Sequence, residues 1–114
     1  MNFDKDLIDN FPAVAVLIPC LNEELTVADV VKDFRTALPD SSIYVYDNDS
    51  NDSTVQRALE AGAVVRHELN RGKGTVVRRM FSEIEADVYV VVDGDNTYDS
   101  STAPLMVKQL IQEE

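Results

Sequence analysis

One cysteine, Cys20, and one histidine, His67, are the scarcest reactive side chains in this chain of 114 residues. A lone cysteine excludes an internal disulfide and fits a reducing cytoplasm. Nothing in the sequence brings His67 near Cys20, so a cysteine–histidine hydrolase has no support, and Cys20 reads as a small packing residue. No apolar run approaches the roughly 20 residues needed to cross a bilayer. The N-terminus lacks the basic stretch and apolar core of a signal peptide. Basic residues are few, with 10 Lys and Arg against 21 Asp and Glu, a formal charge of −11. Non-specific nucleic-acid binding needs clustered Lys and Arg, so no nucleic-acid partner is expected. The same charge slows an anionic ligand unless a bound divalent cation and a few local bases reverse the field. Asp4, Asp6, Asp9, Glu113 and Glu114 read as solvated end charges of the kind that accounts for most of the excess. No bias points to disorder, collagen or a repeat array. Length and a hydrophobic content of 45% fit a single domain, residues 1–114.

What the chain does have is alternation. The run Ala13–Ile18, bounded by Pro12 and Pro19, predicts a first buried strand. Asn22 is placed to cap a helix, with Glu23 and Glu24 at the positive end of its dipole. Val27, Val30, Val31, Phe34 and Leu38 follow at helical spacing. Ile43–Tyr46 predicts a second strand ending on Asp47. A polar loop, Asp47–Thr54, leads into a short helix bearing Val55, Ala58 and Leu59 and closed by Gly62, with Asp52 and Ser53 as caps. Ala63–Arg66 predicts a third strand. Asn70–Gly74 opens a helix with Val76, Val77, Met80, Phe81 and Ile84 on one face. Val88–Val92, five apolar residues in a row, predicts a central strand buried on both faces. A last helix starts near Pro104 and presents Leu105, Met106, Leu110 and Ile111. This β-α-β-α-β-α-β-α order predicts a mostly parallel sheet with helices on both faces, a Rossmann-like nucleotide-binding α/β fold.

Three polar segments follow the carboxyl ends of predicted strands, where ligands of open α/β sheets bind. They are Pro19–Glu23, Asp47–Asp52 and Asp93-Gly94-Asp95. Their convergence on one crevice points to a site more firmly than any segment alone. Asp93 and Asp95 suit a hard divalent cation, which takes oxygen ligands and is held by one or two carboxylates plus substrate phosphates. Asp95 is the principal candidate ligand. Asp93 either shares the metal or hydrogen-bonds a ribose, and Gly94 leaves room for a group to approach the backbone. Asp-Gly is equally a common turn pair. Asp47 is placed to accept from a base or a sugar hydroxyl, or to serve as a turn residue. Asn48, Asp49, Ser50 and Asn51 read as a solvated loop. Gly72-Lys73-Gly74 resembles a phosphate cradle but lacks the P-loop spacing. Exposed backbone N–H groups and Lys73 suit an anion there, and a flexible helix entry fits as well. Asp93–Thr97 also fits the D-x-D-x-T of aspartate-nucleophile phosphohydrolases. That motif follows a first strand, and here it follows the fourth.

Taken together, these segments resemble family 2 glycosyltransferases of the GT-A fold. Val16–Glu23 is similar to the I-P-x-x-N-E opening, Tyr46–Thr54 to the D-D-G-S-x-D-x-T loop, Asn70–Gly74 to N-x-G-K-G, and Val92–Asp95 to the D-x-D metal motif. Thr97-Tyr98-Asp99 extends the last match. The order and spacing of all four agree, and the likeness covers nearly the whole chain from Val14. It is strongest to the N-terminal half of dolichyl- and polyprenyl-phosphate sugar synthases. The resemblance implies inverting transfer of a sugar from a nucleotide donor, a UDP-sugar or alternatively a GDP-sugar, with Mg²⁺ or Mn²⁺ as cofactor. It implies that Pro19, Leu21 and Glu23 border the nucleotide, Asp47 bonds the base, Lys73 lies near the nucleotide, and Asp93, Gly94 and Asp95 bracket ribose and metal. The acceptor it implies is a lipid phosphate or a glycan, at the cytoplasmic face of a membrane or in the cytoplasm.

The chain departs from that pattern at Leu21, where the synthases carry tyrosine, and at Asn48-Asp49, which replace the D-G pair. It is about half the length of the family's catalytic domains, so it is expected to be the donor-binding part, with no assignable catalytic base. An open sheet edge would then favour a homo-oligomer. The alternative expectation is a nucleotide-binding or interaction module without chemistry.

Overall fold

The computed structural model describes residues 13–96 and 99–112. The end charges Asp4, Asp6, Asp9, Glu113 and Glu114, and Thr97 and Tyr98, lie outside the described residues. Four strands form one parallel sheet: β1 (Val14–Cys20), β2 (Ser42–Asp47), β3 (Val64–His67) and β4 (Val88–Val91), in the spatial order β3-β2-β1-β4. The helices are α1 (Val27–Ala37), α2 (Thr54–Glu60), α3 (Lys73–Glu83) and α4 (Ala103–Gln112), with a 3₁₀ turn, Ser100–Thr102, before the last. The predicted alternation and α/β class are therefore observed.

Helices cover both faces of the sheet, unequally. On one face α1, through Val27, Val30, Val31 and Phe34, shares a core with Ala58 of α2, Ala103 and Val107 of α4, and Val16, Ile18, Ile43 and Val45 of the sheet. On the other, α3 contributes Val76 and Met80, which pack with Ala15, Leu17, Tyr46 and Ile84. The alternation of β1 between the two cores explains its burial: Ala15 to Ile18 are all at most 2% exposed. The Tyr46 hydroxyl donates to Glu83 at the end of α3 (2.7 Å). Burial, then Glu83 itself, pushes the Tyr46 pKa up to about 12.

Several sequence expectations are corrected. Val88–Val92 is not a central strand: β4 ends at Val91 and is the sheet edge among the described residues, half-buried, with Val91 exposed. Its unbroken apolarity reports that both faces are covered, since Val88 and Val90 pack on one core and Tyr89 on the other. Face coverage says nothing about a neighbour in the hydrogen-bonding direction. In α4 the core takes Ala103 and Val107, one turn apart, while Leu105 and Met106 are exposed; the side chains of Leu110 and Ile111 lie outside the described residues. In α2 the buried stripe is Thr54 and Ala58, and Leu59 points outward. Phe81 of α3 is likewise exposed, edge-on to Tyr89 with ring centroids 5.0 Å apart.

Asn22 does not cap α1, which starts five residues later behind Thr26. It adopts a left-handed turn, φ 55°, a conformation asparagine tolerates better than most residues. From there it zips the loop after β1 to the loop after β2. The Asn22 N–H donates to Ser50 Oγ (2.9 Å), and Asn22 Oδ1 accepts the Asn51 N–H (3.0 Å). Further along, the Glu23 N–H donates to Thr54 Oγ1 (2.8 Å) and the Ser53 N–H to Glu24 Oε2 (3.0 Å). Of the two expected caps of α2, Ser53 holds the N-cap position without a side-chain bond, while Asp52, one residue earlier, accepts the Thr54 N–H (2.9 Å) and the Thr54 hydroxyl.

Candidate nucleotide and metal site

The carboxyl ends of β1, β2 and β4 lie side by side because the register pairs Cys20 with Asp47 and Leu17 with Val91. A cleft of about 230 Å³ opens above them. Pro19, Cys20, Leu21 and Glu23 form one wall, Gly72, Lys73 and Val76 the opposite one, with Asn48 and Asp93 between. Five of the predicted site residues, Pro19, Leu21, Glu23, Lys73 and Asp93, thus line one space. Asp47, Gly94 and Asp95 stand around it.

Asp47 lies beneath, only 3% exposed. Its Oδ2 accepts the Ser50 N–H (3.1 Å) and lies 4.0 Å from His67 Nδ1. Its Oδ1 is buried with no hydrogen-bond partner. A buried acceptor left unpaired costs about 1–3 kcal/mol, so such an atom calls for an explanation.

Gly94 is buried for a reason other than the one expected. The group that approaches its backbone is the protein's own: a Cβ at Gly94 would stand 2.5 Å from Cys20 Sγ and 3.4 Å from Glu23 Cγ. Thr26 holds the same residue from the other side, its hydroxyl donating to the Gly94 carbonyl (2.5 Å). Thr26 makes no side-chain cap for α1. The Asp93-Gly94-Asp95 turn is thereby seated on β1 and on the entry to α1, and its two carboxylates are exposed at the mouth.

The electrostatics are strongly acidic. Burial pushes the Cys20 thiol far up, and the charges of Glu23, Asp47, Asp93 and Asp52 push it further. Cys20 is the packing residue the sequence suggested and is unfit as a thiolate nucleophile. Glu23 is raised by burial first and then by Asp95. Against these acids stands Lys73, whose Nζ pairs with Asp93 Oδ1 at 2.5 Å across the mouth. Arg71 donates to the Asp49 carbonyl (2.9 Å) and so belongs to the loop framework.

One lysine cannot offset this many carboxylates for a diphosphate, whereas a hard divalent cation suits both the oxygen donors and the field. Asp93 and Asp95 are the residues that would hold it. Among the described residues no three His, Cys, Asp or Glu side chains are grouped as a complete metal site. Two carboxylates with ligand phosphates completing the shell are the usual arrangement for Mg²⁺.

Two contributors were missed in the sequence. Asn48, read as solvated loop, is buried and bonds to the segment before α3. Thr26 gave no signal, because its partner is 68 residues away. The expected cradle at Gly72 is also altered: the Gly72 N–H is donated to Asn48 Oδ1 (2.9 Å) and does not face a ligand.

Comparison with known proteins agrees with this geometry. The chain is 54% identical over 101 residues to Protein RfbJ of Shigella flexneri, covering 89% of this chain and 78% of that protein. It is 37% identical over 101 residues to Glycosyltransferase AglJ of Haloferax volcanii, covering 88% of this chain but 33% of that one. Glucosyl-3-phosphoglycerate synthase from Mycobacterium tuberculosis, solved in complex with Mn²⁺, UDP-glucose and phosphoglyceric acid, superimposes with a TM-score of 0.79 at 27% identity. That match covers 90% of this chain and 40% of the synthase. The family model for Glycosyl transferase family 2 matches residues 15–114. The family model across residues 15–114, on a fold whose cleft is walled by the expected segments, places this chain in glycosyl transferase family 2.

Proposed function

We propose that residues 13–112 form the donor-binding part of a transferase that takes a nucleotide-diphosphate sugar, a UDP-sugar before a GDP-sugar, and passes the sugar with inversion to a lipid phosphate or a glycan. The observation that carries the reading is the unpartnered, buried Oδ1 of Asp47 beneath a cleft whose mouth holds Asp93, Asp95 and Lys73. A base N–H would satisfy that oxygen. Uracil and guanine each offer a ring N–H, which supports the two donor classes named. Leu21 and Pro19 offer an apolar wall to the base or ribose.

Asp93 and Asp95 would hold Mg²⁺ or Mn²⁺ at the diphosphate. A bound divalent cation there supplies charge neutralisation for the departing nucleoside diphosphate. Lys73 leaves Asp93 and adds its charge to the same phosphates. An exposed ion pair of this kind contributes roughly 0–1 kcal/mol, so exchanging its partner is cheap. The M. tuberculosis synthase, with Mn²⁺ and UDP-glucose in its solved complex, supports this order of parts.

Titration of UDP by calorimetry, with and without Mn²⁺, tests the reading. Binding is expected to depend on the metal and to weaken at least about 100-fold in Asp95→Ala, which removes one of the two carboxylates that would hold the cation. Metal-independent binding that survives Asp95→Ala would favour a nucleotide-binding module without chemistry.

A further inference from the structure

The segment 68–72 runs from β3 to α3 without regular structure of its own, yet it delivers Lys73 to the cleft. Glu68 accepts the Asn70 N–H (3.1 Å), Arg71 donates to the Asp49 carbonyl (2.9 Å) and Arg79 pairs with Glu68, all at the exposed side; the buried tie is Asn48. The Asn48 carboxamide, in a residue only 5% exposed, donates through Nδ2 to the carbonyls of Glu68 (2.9 Å) and Asn70 (3.0 Å). Its Oδ1 accepts the Gly72 N–H (2.9 Å). Both amide hydrogens and the carbonyl oxygen are thus engaged by the protein itself. Asn48 is anchored in turn, since its own N–H donates to the Cys20 carbonyl (2.8 Å). A continuous path of bonds therefore runs from the end of β1, through Asn48, to the residue that precedes Lys73. Gly72 completes it at φ 140°, a conformation closed to other residues without strain.

The chemistry of the side chain matters. An aspartate at position 48, the residue type of the family loop, has no N–H to offer two carbonyls. Its carboxylate would face two carbonyl oxygens that now accept hydrogen bonds. Asparagine is the residue that meets two acceptors and one donor together.

We propose that Asn48 is a positioning residue for donor binding: its carboxamide presets the entry to α3, so that Lys73 meets the diphosphate without first ordering the loop. This rests on the donor-site reading above. Preorganisation of this kind gains affinity by removing an ordering cost, not by adding a contact.

Two measurements test it on the intact chain. The first is amide hydrogen exchange without nucleotide, read over residues 69–74 at a temperature well below the melts of all variants. In Asn48→Ala and in the equally sized Asn48→Asp, the Gly72 amide is expected to exchange at least about tenfold faster, while amides of β1 keep their protection. Unchanged exchange at Gly72 in either folded variant overturns the proposal. The second is a double-mutant cycle on UDP affinity in the presence of Mn²⁺. Asn48→Ala is expected to weaken binding about tenfold beside Lys73, and less than about twofold in the Lys73→Met background, because the two residues act through one contact. Equal losses in both backgrounds overturn the positioning role and leave only a structural one. If the unaltered protein binds no UDP, the donor reading and the positioning role fall together, and the exchange data show whether the Asn48 staple itself stands.

Discussion

The floor and the mouth of the cleft are built on opposite terms. The buried side of the site is Cys20 and Asn48, which line the cleft, with Asp47 and Thr54 behind them at the end of β2 and the start of α2, all at most 5% exposed; this is its floor. The carboxamide of Asn48 and the hydroxyl of Thr54 are held by bonds within the chain. Asp47 Oδ1 is the floor's one buried side-chain atom without a partner among the described residues. The mouth is Lys73 and Asp93, whose side chains are 63% and 51% exposed and paired with each other in water, with Asp95 beside them. Buried, fully paired polar groups hold one geometry, since breaking them costs desolvation. Exposed ion pairs are weak and exchange partners readily. The floor is therefore suited to recognising a fixed shape such as a base, and the mouth to a mobile charge cluster such as a diphosphate with its cation.

Gly94 is where the two regions touch, and altering it should do the most damage. Gly94→Ala puts a methyl 2.5 Å from Cys20 Sγ, an overpacking expected to cost about 1–3 kcal/mol. For a domain of this size that lowers Tm by roughly 4–8 °C per kcal/mol. Adding Cys20→Ala removes the colliding sulfur and should restore more than half of the loss. A thermal melt that shows no rescue would mean the strain lies elsewhere in the turn.

Asp47→Asn separates the recognition role of the floor from its structural role. The asparagine keeps an acceptor for the Ser50 N–H, puts a neutral amide NH2 where the unpaired oxygen stands, and removes the buried charge. Tm is expected to hold or rise, while UDP affinity falls about tenfold, within the 1.5–3 kcal/mol of a hydrogen bond to a charged group. A lower Tm with unchanged affinity would assign Asp47 to the fold alone.

The smallest effect concerns the bonds that join the two loops. Desolvation raises the Asp52 pKa, but hydrogen bonds from the Thr54 hydroxyl and amide and from the Glu24 amide outweigh it, and the net shift is downward. The folded state then binds this proton less tightly than the unfolded chain. Its stabilisation is present above the ordinary carboxylate range and is lost as pH falls through the lowered value. Between about pH 5 and pH 3, Tm of the unaltered protein should fall more steeply than that of Asp52→Asn. Parallel slopes would show that other carboxylates dominate the acid limb.

The fold was largely legible because its signals are local. Strand runs ending on acids, Gly62 closing α2 with φ 96° and Gly72 opening α3 all appear where the residues predict them. The expectations that failed were those needing a third dimension. Leu105 and Met106 are expected in the buried stripe, but Ala103 and Val107 take it, because α4 carries more than one apolar stripe and the packing against the sheet chooses between them. Asn22 had every local mark of a helix cap, yet its partners turned out to be Ser50 and Asn51 on another loop. Asn48 looked like any polar loop residue, and its three bonds reach 20 to 24 positions ahead.

Residue type and spacing alone determined the α/β class, the order of elements and the identity of the acids that surround the cleft, because apolar periodicity and strand ends are properties of neighbours along the chain. Only the folded structure decided that β4 lies at the edge, that Gly94 is small to admit Cys20, that Thr26 and Asn48 lock the two walls, and that Lys73 waits on Asp93. Those are contacts between segments 20 to 74 residues apart, set by packing and by the pairing of buried polar groups, and neither quantity exists until the chain has closed on itself.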